Sequence, residues 1–230
     1  MGYKSLAQMP AHHNGPVSSN VRPQTNTSMR PPPLILSFTA PFTTRDFTDF
    51  RRVMDESGAA LLLDERGPPG PQAGMEWLLL TAAFIYIGKA YFDGLLKEMG
   101  KDHYQLLKEA CKKLYEPILG PRSPAITVIG TTGKLPRIRE YSLKFSLLAE
   151  AQDGLRFKLL IPEAASTSEY EEAVTAFVDF LDDFHRRALS KELIAEMQAI
   201  RVVGSTMLLS YSKNLNRIVP VDPLNGRTEA

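Results

Sequence analysis

The longest apolar run of the chain lies at residues 77–88 and reads Trp-Leu-Leu-Leu-Thr-Ala-Ala-Phe-Ile-Tyr-Ile-Gly. Thr81 is its only strongly polar side chain. A helix of this composition is apolar on every side, which is typical of a helix enclosed by protein or by lipid. From Lys89 onward, charged residues recur at every fourth position and form one helical stripe. The pattern therefore predicts a long helix over 77–99, enclosed in its first half and amphipathic in its second.

The residues before this run predict a strand, a helix and a second strand. Residues 34–38 are a short apolar run of strand length. Phe47, Phe50 and Met54 then fall on one face of a helix. Residues 59–63 are a second apolar run of strand length, although none of them is β-branched. The segment therefore predicts a strand–helix–strand unit.

The residues after the long helix predict a second helix, a third strand and an antiparallel hairpin. Apolar residues at helical spacing predict the second helix over 102–116. Residues 125–129 are rich in β-branched side chains, which favour a buried strand. Apolar and polar residues alternate over 141–147 and again over 155–161, the pattern of a hairpin with one packed face.

Two amphipathic helices and a last strand complete the pattern. Ser166 followed by Glu169 matches a capping box, which predicts a helix start at this point. A further helix is predicted over 190–200. The apolar residues within 202–209 predict a last edge strand, and the two prolines beyond Lys213 predict an irregular tail.

These elements predict a mixed α/β fold with a single domain at residues 34–212 and a tail at residues 213–230. Residues 1–33 are dominated by Pro, Ser, Asn, Thr and Gln, a composition that is typical of a disordered arm. The long apolar helix and the second helix are expected as an insertion between the strand–helix–strand unit and the third strand.

Composition adds little to this architecture but restricts the function. The net charge of +1 provides no global attraction toward nucleic acid or acidic membranes, so any such preference must come from local clusters. The chain has one cysteine, Cys111, which excludes an internal disulfide framework and is compatible with a reducing compartment. We therefore expect a cytoplasmic protein, or alternatively one at a membrane periphery.

Charge is segregated between the predicted hairpin and the helix that follows it. The charged side chains of the hairpin's polar face are all cationic, whereas the helix after Ser166 is acidic until Arg186. The basic face has few aromatic residues for stacking bases, which argues against single-stranded nucleic acid. We expect it to bind another protein or a second copy of this chain. The predicted binding surface consists of Arg137, Arg139, Lys144, Arg156 and Lys158.

A second hypothesis is a small metal-dependent enzyme. Asp64 and Glu65 follow the second predicted strand, and strand ends are where open α/β sheets bind ligands. The two acids would hold Mg²⁺, and Lys134 would neutralise charge during phosphoryl transfer or nuclease chemistry. Lys134 ends a Gly-Thr-Thr-Gly-Lys segment that begins at Gly130, but this segment lacks the spacing and the following helix of a phosphate-binding loop. The alternative to a catalytic site is that both segments are ordinary polar loops.

A third hypothesis is membrane docking through the apolar helix. The run is shorter than the roughly 20 residues that a bilayer-spanning helix needs, so a core helix fits it better. If the helix docks on a membrane over 77–96, its contact residues are expected to be Trp77, Leu80, Phe84, Ile85 and Ile87.

The preferred interpretation is a non-enzymatic protein-interaction or self-assembly module without a cofactor or metal. The membrane-docking subunit and the metal-dependent enzyme are the alternatives. The sequence identifies neither the partner nor the order of the strands.

Overall fold

The computed structural model describes residues 34–67, 81–94, 102–126, 140–151 and 154–223. The described elements all belong to one unit, Pro32–Ala230. Several predicted features lie outside the described residues. They are the N-terminal arm at 1–33, Trp77, Leu80, the third strand beyond Ile126, and the segment that contains Gly130, Lys134, Arg137 and Arg139.

The described strands form one mixed sheet in the order β2-β1-β3-β4-β5-β6-β7. Three neighbouring pairs are parallel, β1 with β2, β3 with β4 and β5 with β6, and the other pairs are antiparallel. The strands are β1 (Leu34–Thr39), β2 (Leu61–Arg66), β3 (Ala83–Ile87), β4 (Tyr141–Glu150), β5 (Arg156–Pro162), β6 (Thr206–Ser212) and β7 (Arg217–Val221).

Helices connect the parallel strands, as mixed α/β folds require. A 3-10 turn (Thr44–Phe47) and α1 (Thr48–Glu56) join β1 to β2. The segment from β3 to β4 holds α2 (Lys89–Gly94), α3 (Asp102–Lys112) and α4 (Tyr115–Ile118). Finally, α5 (Thr167–Arg186) and α6 (Lys191–Ala199) join β5 to β6. The structure confirms the predicted mixed α/β class, and the predicted hairpin is β4 with β5.

One face of the sheet carries the hydrophobic core. Side chains alternate between the two faces of a strand, so register partners share a face. A row of register partners crosses five strands on this helix face, and each of its members is 0% exposed: Leu36, Ile85, Leu147, Leu159 and Leu209. The buried side chains of the described helices belong to the same core. We call the opposite side the second face; it carries Ser37, Asp64, Arg66, Phe84, Tyr86, Ser146 and Lys158.

The predicted long helix over 77–99 is wrong at residues 83–87, which form the central strand β3. Ala83, Ile85 and Ile87 are buried in the core, and Phe84 and Tyr86 are half-buried on the second face. A strand that is covered on both sides reads as a continuous apolar run, which periodicity cannot distinguish from a buried helix. The predicted lipid-contacting surface of Phe84, Ile85 and Ile87 is therefore divided between the two faces of a sheet. Within the described ranges, no helix is both long enough and apolar enough to cross a membrane.

The predicted irregular tail is also wrong over 217–221, where β7 extends the sheet. The predicted last edge strand is β6, which lies inside the sheet between β5 and β7. Pro220 is tolerated because β7 is an edge strand among the described strands, so a residue without an N–H can face outward. The turn before β7 contains Asn216 at a φ of 49°, a left-handed conformation that asparagine adopts more readily than most residues.

Candidate functional site

A groove of about 590 Å³ runs between α5, α6 and the β6–β7 hairpin. Helix α5 forms one wall, because residues 168, 172, 175, 179 and 183 recur at helical spacing on one face. Arg217 and Asn216 lie at the opposite side. The groove therefore depends on the hairpin that the tail prediction missed.

The floor of this groove is apolar. Phe180, Leu193 and Ile218 line it, and all three are also buried members of the core. Leu189 and Tyr211 line it as well and are partly buried against the same core. An apolar side chain of a ligand would therefore meet packed, water-excluding surface at the bottom of the groove.

The α5 wall of the groove is acidic. Its carboxylates belong to Glu171, Glu172, Asp179 and Asp183. Lys108 of α3 neutralises Asp179 through an ion pair of 2.5 Å between Nζ and Oδ1. Glu171 and Asp183 form no ion pair with any described residue, although Arg186 lies close enough to attract Asp183 electrostatically.

The ionisation of Asp183 reflects this crowding of negative charge. Partial burial, together with the neighbouring carboxylates of Asp182 and Asp179, raises the pKa of Asp183 above its ordinary value. A cation placed in the groove would relieve this repulsion. The electrostatics of the wall therefore favour a positively charged ligand.

The far side of the groove is held in place by a paired ion contact. Arg217 of β7 donates from Nη1 to Glu196 Oε2 at 2.8 Å and from Nη2 to Oε1 at 2.6 Å. A bidentate pair of this kind fixes orientation as well as distance. It ties the β6–β7 hairpin to α6, and so it holds two walls of the groove at a defined separation.

The predicted pair of metal-binding acids is not brought together. Asp64 and Glu65 lie within β2 rather than after it, so their side chains point to opposite faces of the strand. Asp64 accepts a hydrogen bond from Ser37 Oγ at 2.8 Å on the second face. Among the described residues, no group of three or more His, Cys, Asp or Glu side chains is arranged to hold a metal.

The predicted basic surface is also dispersed. Lys158 is only 2% exposed, so it does not present its charge to a partner. Lys144 is half-buried and donates to Ser123 Oγ at 3.1 Å. Arg156 is exposed and donates to the carbonyl of Gly204 at 3.2 Å. The expectation of a polar, solvated hairpin face fails because the second face buries several of its polar side chains.

These buried polar side chains form a ladder across the second face. Thr81 Oγ1 donates to the carbonyl of Ala83 at 2.7 Å and lies 2.8 Å from Ser146 Oγ. Tyr86 donates from its hydroxyl to Glu150 at 3.1 Å. Ser146 and Glu150 lie 65 and 64 residues beyond their partners Thr81 and Tyr86, so sequence spacing could not reveal these contacts.

The sequence contained one signal for the groove, which is the acidic stripe on the helix after Ser166. The apolar floor gave no such signal, because Ile218 and Tyr211 belong to the strands that the pattern placed in a tail or at an edge. Comparisons with protein-family models, with curated proteins and with solved structures gave no significant match.

Proposed function

We propose that this chain is a non-enzymatic protein-interaction module whose α5–α6–β7 groove receives a basic segment of another protein. The observation that carries the proposal is the acidic wall of α5 beside a buried apolar floor. The segment would insert an apolar side chain toward Phe180 and Leu193 and place lysine or arginine side chains against Glu171 and Asp183.

Each part of the groove supplies a different component of recognition. An apolar anchor that enters a packed pocket is the usual source of affinity at protein interfaces. Charge complementarity adds specificity and accelerates encounter, and it weakens as salt is added. A basic ligand with an apolar anchor therefore complements both parts of the groove, whereas an acidic ligand is repelled by the wall and a ligand without an apolar side chain leaves the floor unfilled.

The earlier alternatives lose the geometry on which they depended. The enzyme hypothesis placed Asp64 and Glu65 after a strand, whereas both lie within β2, and the membrane hypothesis placed Phe84 and Ile87 on a helix, whereas both lie in β3. We do not carry them forward. A cytoplasmic location remains part of the proposal, because a chain with a single cysteine, Cys111, forms no internal disulfide and is compatible with a reducing compartment.

The proposal is tested with a labelled peptide in which a central leucine is flanked by lysines. We expect saturable binding by fluorescence anisotropy, with amide shifts in an NMR spectrum centred on α5, α6 and β7. The double variant Glu171→Lys, Asp183→Lys should weaken binding by about tenfold or more, since it replaces attraction with repulsion.

Two controls test whether binding depends on the charges of the groove. The matched double variant Asp55→Lys, Glu56→Lys changes two exposed acids of α1 and should leave binding unchanged. A peptide with glutamates in place of the lysines should not bind. Equal binding by the groove variant and the wild type would overturn the proposal. A dimer detected by ultracentrifugation and lost in the groove variant would identify the partner as a second copy of this chain.

A further inference from the structure

A second, separate group of side chains lies at the carboxyl ends of β1 and β2. Thr39 and Arg66 are the last residues of these parallel strands and are register partners. Their side chains therefore lie side by side on the second face. In open α/β sheets, the carboxyl ends of strands are where ligands bind.

Arg66 is held rigidly at this end of the sheet. Its Nη2 atom donates to the carbonyl of Thr81 at 3.0 Å and to that of Ala82 at 3.4 Å. Its guanidinium carbon lies 4.7 Å from the centre of the Phe84 ring, in a cation–π contact. One part of the guanidinium is thus fully engaged, and its plane is fixed before any ligand arrives.

The remaining donors at this position have no acceptor. Arg66 Nε and Thr39 Oγ1 are both buried and have no hydrogen-bond partner within the described part of the chain. Thr39 is only 5% exposed. An arginine remains charged even when it is buried, and unpaired buried donors are costly because they lose their hydrogen bonds to water. Such donors indicate an acceptor that the described residues do not supply.

The neighbouring charges restrict what this acceptor is. Asp64 lies two residues before Arg66 on the same face, and its carboxylate opposes the lowering of the Arg66 pKa that burial causes. One cation and one nearby anion leave little attraction for a doubly charged phosphate. A singly charged carboxylate is repelled less by Asp64, and its two oxygens provide one acceptor for each of the two unpaired donors.

We propose that Arg66 and Thr39 form a binding site for the carboxylate group of a monoanionic ligand. One carboxylate oxygen accepts from Arg66 Nε and the other from the Thr39 hydroxyl. Glu65 and Gly67, the chain neighbours of Arg66, are exposed, so this end of β2 borders solvent, and the ligand reaches the two buried donors by displacing the atoms that cover them. The site is independent of the groove along α5.

The test is a titration of the ¹⁵N-labelled protein with sodium acetate, with sodium chloride keeping the ionic strength constant. We expect a saturable shift of the Arg66 Nε–Hε resonance, which is assigned by its disappearance in Arg66→Lys. Thr39→Val should weaken acetate binding by about threefold to tenfold, the effect of losing one hydrogen bond. The same variant should raise the melting temperature of the free protein, because it removes a buried donor without a partner.

The controls separate this site from general salt effects. Arg156→Lys changes an exposed arginine of the second face and should leave the acetate titration unchanged. Thr39→Val keeps the branched shape of the side chain and removes its hydroxyl donor, so it carries the test if Arg66→Lys fails to fold. Absence of a saturable shift at Arg66, or equal affinity in the wild type and Thr39→Val, would overturn the proposal.

Further probes identify the chemical source of the carboxylate. A tripeptide of alanine with a free carboxyl terminus is compared with its amide. Tighter binding of the free acid than of acetate would support a polypeptide C-terminus as ligand, and equal binding would support a small-molecule carboxylate. Tighter binding of inorganic phosphate than of acetate would contradict the carboxylate assignment.

Discussion

At the scale of single residues, the burial of Lys158 is the property that its sequence context fails to predict. Its alternation with Phe157 and Leu159 predicts a solvated position, but its register partners are the buried Leu148 and Leu208. Burial lowers the pKa of Lys158 to about 8. In an unfolded chain the pKa of a lysine is about 10.4, so the folded protein binds fewer protons between these two values.

This difference in the pKa of Lys158 between the folded and unfolded chain predicts how stability changes with pH. The unfavourable contribution of a buried ammonium group is fully present below about pH 8 and disappears as the pH rises to about 10.4. Lys158→Met should therefore raise the free energy of unfolding at pH 7 by about 1–3 kcal/mol. The gain should shrink toward pH 10. Urea denaturation of both proteins across this range measures it, and Lys144→Met on the same hairpin serves as the control. A gain in stability that is independent of pH would show that it does not come from removing the buried charge of Lys158.

At the scale of elements, the start of α5 shows where local sequence is sufficient. Ser166 accepts a hydrogen bond from the backbone of Glu169 at 3.3 Å, and the Glu169 carboxylate accepts from the backbone of Ser166 at 3.0 Å. The hydrogen bonds that the Glu169 carboxylate accepts from the backbone and from the hydroxyl of Ser166 lower the pKa of Glu169. All the partners lie within three residues of one another, so the capping box could be predicted from the local sequence without knowledge of the fold.

We expect Ser166→Ala to lower the free energy of unfolding by about 1 kcal/mol, the usual effect of losing an N-cap. The physical reason is that the backbone N–H of Glu169 loses its acceptor. Ser168→Ala is the control, because this exposed hydroxyl bonds only to the side chain of Glu172. Chemical denaturation compares the variants, and an equal loss in both would argue against a specific capping contribution.

At the scale of the whole molecule, two of the three connections between parallel strands, β1 to β2 and β5 to β6, have opposite hand. The pairing directions make β1 and β5 run the same way. The chain steps from β1 to β2 toward one edge and from β5 to β6 toward the other, with helices on one face in both cases. One crossover therefore departs from the right-handed rule for parallel strands. Sequence patterns carry no information about this choice.

The role of the last strand, β7, also follows from contacts between distant parts of the chain. β7 places Ile218 in the core, where it is 2% exposed. A chain that ends after Ser212 should therefore lose its cooperative thermal transition, because it lacks both this contact and the Arg217–Glu196 pair. A chain that ends after Pro223 should keep it. Circular dichroism and amide dispersion in NMR spectra distinguish the outcomes, and a folded shorter chain would show that 213–230 is a dispensable tail.

The sequence by itself determined the features that depend on neighbours along the chain. These are the helix starts, the hairpin of β4 and β5, the strand–helix–strand unit and the mixed α/β class. Tertiary structure alone decided that residues 83–87 form a central strand, because an apolar run satisfies either conformation until its partners are known. It also decided that Lys158 is buried, that Asp64 and Glu65 are separated, and that Thr39 meets Arg66. The groove along α5 depends in the same way on β7, since a site formed by distant segments exists only once strand order brings them together.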